Sequence, residues 1–252
     1  MKNNFISICL FVILITCTKA IAQVQQKEIN NQYQAWVSLN NTVKLTNKWG
    51  FVADVHERRN NFFKDASFHF IRFGVNYWLM DNVTLTAGFA HLWLAPTTNG
   101  WKTFANDSRV YEQAQITSKL SAVRFLQRLR TEQRWQQKIA NDKPTGKNKF
   151  TVRVRYLMSF TIPVSKNANL PSFVLSDEIL VQFGKEVVYN TFDQNRVFVG
   201  MRQKVSKSLS FDLGYMFVNQ QKASGYQYDH NNTFRCFFYY TPDCRKKVIA
   251  LQ

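Results

Sequence analysis

Arginine carries the most distinctive chemistry in this sequence. Arg58, Arg72, Arg124, Arg128, Arg130, Arg134, Arg153, Arg155, Arg196, Arg202 and Arg235 fall on the polar side of segments that alternate polar and apolar residues. Asp54, Glu132, Glu178 and Asp212 share that side, so carboxylates exist for only some of the cations. A guanidinium is a planar fork suited to bidentate pairing with a carboxylate. Two chemistries follow: a packed, ion-paired polar interior, or a lumen that attracts anionic solutes. Arg124, Arg128, Arg130, Glu132, Arg134, Arg153, Arg155, Glu178, Arg196, Arg202, Asp212 and Arg235 are the residues predicted to line it.

A second constellation is Ser67-Phe68-His69. Ser67 and His69 share one face at the end of a predicted strand, the nucleophile and base that an esterase working on lipid at a membrane rim would use. No third member is evident in the sequence, so an ordinary rim serine and histidine is the simpler reading. His56, His91 and His230 are dispersed, and no metal-ligand spacing is present. There is no glycine-rich phosphate loop and no nucleotide motif. No cofactor and no metal are expected.

The elements that must position these groups are strands. In the hairpin 194–218, Val197, Val199 and Met201 oppose Arg196, Gly200, Arg202 and Lys204, and Leu209, Phe211, Leu213, Tyr215 and Phe217 oppose Ser210, Asp212 and Gly214. This is period two, hence sheet. The same unit recurs over 33–45, 49–58, 66–78, 83–93, 109–117, 122–135, 150–162, 173–183 and 232–240. The strand 150–162 is the clearest, with Phe150, Val152, Val154, Tyr156, Met158 and Phe160 against Thr151, Arg153, Arg155 and Ser159. The facing of 109–117 stays open, and 138–149 reads as a basic loop.

The apolar faces are rich in aromatics and the opposite faces carry charge and glycine, the reverse of a soluble sandwich. Each predicted strand is about 10 to 13 residues, the length a tilted strand needs to cross a bilayer. Connections alternate short and long, the habit of a membrane barrel. The fold expected is all-β, a transmembrane antiparallel up-and-down β-barrel. Because bacterial barrels usually have an even count, about twelve strands are expected, with ten as the alternative. Trp49, Trp78, Trp93, Trp101 and Trp135 lie mostly near strand ends, as interfacial aromatic girdles would.

The remaining bounds come from the termini, charge and cysteines. Residues 1–22 read as a secretory signal: Lys2, an apolar run from Phe5 to Thr16, and Ala20-Ile21-Ala22 before Gln23. Its apolar core is about a dozen residues, short of the roughly 20 that a spanning helix needs. The formal net charge is +17, and losing Lys2 and Lys19 with the signal leaves +15. On an exported chain, such charge points to outer-membrane lipids and lipopolysaccharide phosphates rather than nucleic acid. Cys236 and Cys244 are the cysteines left after cleavage, and a bridge between them across Thr241-Pro242-Asp243 is open. The division expected is signal 1–22, polar lead 23–32, barrel 33–240 and basic tail 241–252. The cell outer membrane is the expected location and the barrel-assembly machinery an expected partner, while oligomeric state cannot be read.

Asp193-Gln194-Asn195-Arg196, Gly200, Leu209-Ser210-Phe211-Asp212-Leu213-Gly214-Tyr215, Glu132-Gln133-Arg134-Trp135, Ser176-Asp177-Glu178 and Asn232-Thr233-Phe234 together resemble the domain of unknown function 2490 family of Gram-negative outer-membrane barrels. The likeness runs from about Gln34 to Tyr240. It implies a barrel in the outer membrane and brings no catalytic residues. Such barrels normally finish at a terminal aromatic residue, whereas here Tyr240 is followed by a basic tail.

Overall fold

The computed structural model describes residues 26–165, 167 and 170–245. Among them are eleven strands and no helix: β1 (Glu28–Lys44), β2 (Trp49–Asn60), β3 (Asp65–Met80), β4 (Val83–Leu94), β5 (Ala105–Leu120), β6 (Val123–Ala140), β7 (Lys143–Pro163), β8 (Ser172–Phe183), β9 (Phe192–Lys204), β10 (Leu209–Gln221) and β11 (Gln227–Tyr240). Each strand pairs antiparallel with the next in sequence, and β1 pairs with β11, so the sheet closes on itself. The signal segment 1–22 and the tail beyond Arg245 lie outside the described residues.

The barrel has eleven strands where an even count near twelve was expected, and the reason is the seam. In a meander with an odd number of strands the first and last run the same way, so they can close only in parallel. β1 and β11 do so in unbroken register from Glu28↔Gln227 to Asn41↔Tyr240. No twelfth strand precedes β1 among the described residues; Glu28 to Asn31, read as part of the polar lead, are the start of β1 itself. A second revision concerns 138–149. It is not a loop but the outer part of the β6–β7 hairpin, turned at Asn141 and Asp142, whose φ values of 50° and 56° are the paired left-handed conformation of a type I′ turn.

Alternation decides which face each residue takes. Leu39, Val55, Phe73, Phe89, Leu129, Phe150, Phe160, Ile179, Val199, Leu213 and Phe234 project outward as exposed apolar side chains around the circumference. Asp107, Arg130, Glu132, Arg153, Glu178, Arg196, Asp212 and Thr233 are buried inside. Apolar outside and charged inside is the reverse of a water-soluble domain, where apolar area leaves solvent and charge keeps it. The aromatic pair Trp49–Tyr77 stands where β2 starts and β3 ends, and Trp135–Phe150 lies within the β6–β7 ladder, with ring centroids 4.8 and 5.3 Å apart. Trp78 departs from the girdle expectation: it faces inward, its ring 2.8 Å from where a Cβ on Gly50 would lie.

Two cross-strand glycine pairs make room for large interior rings. Gly74 faces Gly88 beneath Tyr111, and Gly200 faces Gly214 beneath Phe198. Past Tyr240 the chain stays beside β1: Lys44 N–H donates to the Pro242 carbonyl at 3.1 Å and Cys244 N–H to the Lys44 carbonyl at 2.8 Å. Cys236 and Cys244 are not bridged.

Candidate functional site in the barrel lumen

The lumen faces of β5 to β9 carry one continuous ion network. Glu132 on β6 is a hub: it accepts from Arg153 Nε at 2.9 Å, Arg155 Nη1 at 2.7 Å and Arg109 Nη1 at 3.3 Å. Glu178 on β8 is the second hub, accepting from Arg155, from Arg128 Nη2 at 2.8 Å and from Arg196 Nη1 at 3.1 Å. Arg155 touches both and so joins the two. At the other end Asp107 accepts from Arg109 Nη2 and Arg134 Nη2, each at 2.8 Å. Charges this deeply buried are tolerated only when they are paired and their remaining donors and acceptors are satisfied.

Three members of this network escape a reading based on alternation. Asp107 and Arg109 sit on β5, whose facing the sequence leaves open because Glu112 interrupts Val110, Ala114 and Ile116 on one face while Tyr111 stands among Arg109, Gln113 and Gln115 on the other. The structure turns Asp107, Arg109 and Tyr111 inward. Asp193 escapes for a different reason. Leu180 pairs with Gln194 and Val181 with Phe192, leaving Asp193 as the extra residue of a β-bulge. A bulge re-aims a side chain, so Asp193 and Gln194 are both buried although adjacent. Asp193 accepts from Arg153 Nη1 at 3.0 Å. The signal that could have found it is Asp193 adjoining Gln194 and Arg196 at the mouth of a strand otherwise in clean alternation.

A separate ion cluster lies toward the seam. Arg202 on β9 grips Asp212 on β10 with two bonds, Nε at 2.6 Å and Nη2 at 2.8 Å, and Arg235 on β11 approaches the same carboxylate at 3.5 Å. Arg72 on β3 pairs with Asp54 on β2. Between these clusters Trp36, Val174, Phe198, Met216 and Val218 pack into a small apolar core inside the barrel. The Arg58 guanidinium lies over the Trp36 ring at 3.3 Å and near Phe68 at 4.3 Å, where a desolvated cation–π contact is strong. Salt, amide and ring contacts therefore line the interior.

Of the residues predicted to line the lumen, Arg128, Arg130, Glu132, Arg134, Arg153, Arg155, Glu178, Arg196, Arg202, Asp212 and Arg235 all reach it. Arg124 has the expected parity but stands exposed next to the β5–β6 turn. The Ser67 and His69 pair fares differently. His69 pairs across the ladder with Glu57, on the outward face, and its Nδ1 contacts that carboxylate. Ser67 falls at a bulge opposite the Arg58–Arg59 step. Among the described residues no hydrogen bond joins the Ser67 hydroxyl to His69, and no cluster of His, Cys, Asp and Glu is arranged to hold a metal.

A closed all-β barrel with a buried arginine and carboxylate interior is the class of protein that fold and site define. The chain belongs to the family described as protein of unknown function (DUF2490), whose model matches residues 33–229. No curated protein matches it.

Proposed function

We propose that this protein is an outer-membrane β-barrel, exported by a signal cleaved after Ala22, whose largely filled, arginine-rich lumen makes it structural or at most weakly conducting. The observation that carries this reading is the inverted surface: apolar side chains circle the outside while guanidiniums and carboxylates are buried within. A lipid environment reverses the usual cost of exposing those outward residues. Barrels with 16 to 18 strands leave an aqueous channel, and one of this size is narrower by the roughly linear growth of diameter with strand number. Arg155, Arg153 and Arg196 project into what remains.

Conductance in a planar bilayer tests the reading. Little or no steady current is expected, and any small current should favour anions, because inward arginines outnumber inward acids. A large cation-selective current would overturn it. Loops such as 184–191 and the basic β6–β7 hairpin belong on the lipopolysaccharide side, where Lys143, Lys147 and Lys149 meet phosphate.

A lipid hydrolase is the second reading, and the contact of Glu57 with His69 favours it by supplying the orienting carboxylate missing from the sequence pattern. Fatty-acid release from phospholipid that vanishes in Ser67→Ala would establish it over the first.

A further inference from the structure

Among the described residues five other than glycine hold a left-handed backbone, and four of them are Asn, Asp or Ser, small polar side chains suited to turns. The fifth is Phe62, at φ 61° directly after Asn61 at 48°. A bulky side chain is a poor occupant of that region, and a paired left-handed turn most often takes glycine at its second position. The β2–β3 connection therefore keeps a ring where the backbone alone would favour none. The loop is held in this shape from both sides. Phe62 N–H donates to the Tyr33 carbonyl at 3.2 Å, Arg59 Nε and Nη2 reach the Phe63 and Lys64 carbonyls at 3.2 and 3.0 Å, and Asn61 Nδ2 donates to Asp65 Oδ2 at 2.5 Å.

The ring so placed completes a cleft. Phe62 stacks on Tyr33 with centroids 5.6 Å apart and planes 18° from parallel, and both rings stay more than half exposed. Tyr33, Asn61, Phe62, Lys64 and Asp65 line an open cleft of about 650 Å³, within the roughly 300–1,000 Å³ of small-molecule sites. Tyr33 has the outward parity of Leu39, so the cleft opens on the outer wall rather than into the lumen, at the end of the barrel that carries the β6–β7 turn.

Its chemistry is amphipathic. The ring faces present the negative side of an aromatic quadrupole, which attracts weakly positive C–H groups. Beside them Lys64 Nζ makes no ion pair among the described residues. Asn61 gives Asp65 only its Nδ2, and only one Asp65 oxygen receives it, so an amide oxygen and a carboxylate oxygen stay open to donors. A pyranose sugar has both matching surfaces, an apolar C–H face and a rim of hydroxyls that donate and accept. A purely apolar ligand would leave three polar groups unused, and a compact anion would make no use of the rings.

We propose that this cleft binds a pyranose saccharide, stacked on the Phe62 and Tyr33 rings, its hydroxyls donating to Asp65 and Asn61 and accepting from Lys64. The site deepens the outer-membrane reading, because saccharide abounds on the lipopolysaccharide side, and it rests on that reading for the choice of probe.

The test uses the full chain folded in detergent micelles and immobilised, with two probes: lipopolysaccharide, and the core oligosaccharide freed from its lipid by mild acid. Saturable binding is expected, weakened about tenfold or more by Phe62→Gly and by Tyr33→Leu, which keeps apolar bulk but loses the flat face. In Phe62→Gly the melting temperature should hold or rise, since glycine adopts that φ without strain. Tyr189→Ala, an exposed ring on the 184–191 loop at the same end, should bind as the unmodified protein does. Heat-modifiable mobility on gels checks that each variant is folded, and Tyr33→Leu decides if Phe62→Gly is not. Binding of the free oligosaccharide shows that the sugar suffices, and binding of lipopolysaccharide alone assigns a lipid-linked sugar; each upholds the site. No saturable binding of either probe, equal binding in the folded variants, or lost binding with a lowered melting temperature in both variants overturns it. Vesicle insertion is measured in parallel: insertion without saccharide binding sinks the site and spares the membrane reading, and saccharide binding without insertion does the reverse.

Discussion

Arg155 holds Nη2 2.9 Å from both carboxylate oxygens of Glu178. Its Nη1 meanwhile donates to Glu132 at 2.7 Å. One guanidinium thus couples β6, β7 and β8 through the interior, in addition to the backbone ladder on the wall. In a barrel the ladder alone fixes each strand to its neighbours; this bridge ties three strands at one level and sets where the two acid hubs stand.

Removing a hub should be severe. Glu178→Gln leaves Arg128, Arg155 and Arg196 facing one another, and breaking a buried pair from one side costs about 3–5 kcal/mol. Urea unfolding in lipid or detergent measures it. Glu186→Gln, which removes the exposed partner of Lys138, is the control and should leave the midpoint unchanged. Equal midpoints for the two variants would show that the network does not hold the barrel.

The bulge should be energetically tied to its partner. In a double-mutant cycle on Asp193→Ala and Arg153→Ala, a coupling of about 1.5 kcal/mol or more is expected, the scale of a buried hydrogen bond between charged groups. Additive effects would mean that Asp193 is buried without engaging Arg153.

Side chains placed on the glycine floors should collide with the rings above them. A Cβ on Gly88 would lie 2.6 Å from the Gly74 Cα and 2.8 Å from Tyr111 Cε1, and one on Gly214 would lie 2.5 Å from the Gly200 Cα. Gly88→Val and Gly214→Val should each destabilise by roughly 1–3 kcal/mol through overpacking. Unfolding midpoints equal to the parent would mean that neither ring is fixed in place.

Asp142 should make one loop contact sensitive to acid. Its carboxylate accepts the Thr103 N–H at 2.7 Å and the Lys102 N–H at 3.0 Å, and these bonds, the Thr103 bond above all, lower its pKa below the usual value. A depressed carboxyl contributes above its unfolded value, about 3.9, and loses that contribution as pH falls through the lower folded value. Pepsin cleavage within 95–104 should therefore rise below about pH 4, and in Asp142→Asn it should already be raised at pH 4. A cleavage rate that ignores both the acid and the substitution would disprove the tether.

Membrane placement has its own assay. Val154 is outward on β7 beside the buried Arg153, and Val154→Arg should cost roughly 2–4 kcal/mol if that site lies at the bilayer midplane. The same substitution at exposed Thr145 near the β6–β7 turn should be nearly silent. Refolding into vesicles separates the two, and indifference at Val154 would mean that this face does not meet lipid.

The sequence by itself determined the strands and their faces. Period two is a local property, so Phe150 to Phe160 against Thr151 to Ser159 reads without any partner, and the eleven alternating segments found along the chain are the eleven strands of the barrel. Alternation also placed Arg128, Arg153, Arg196 and Asp212 on a common interior. What it could not supply is register, because which residue of one strand lies beside which of the next depends on the closed sheet. Register set Glu132 and Glu178 within reach of one Arg155, closed β1 on β11 in parallel, and put Asp193, the residue left out of the β8–β9 ladder, on the inside against its own parity.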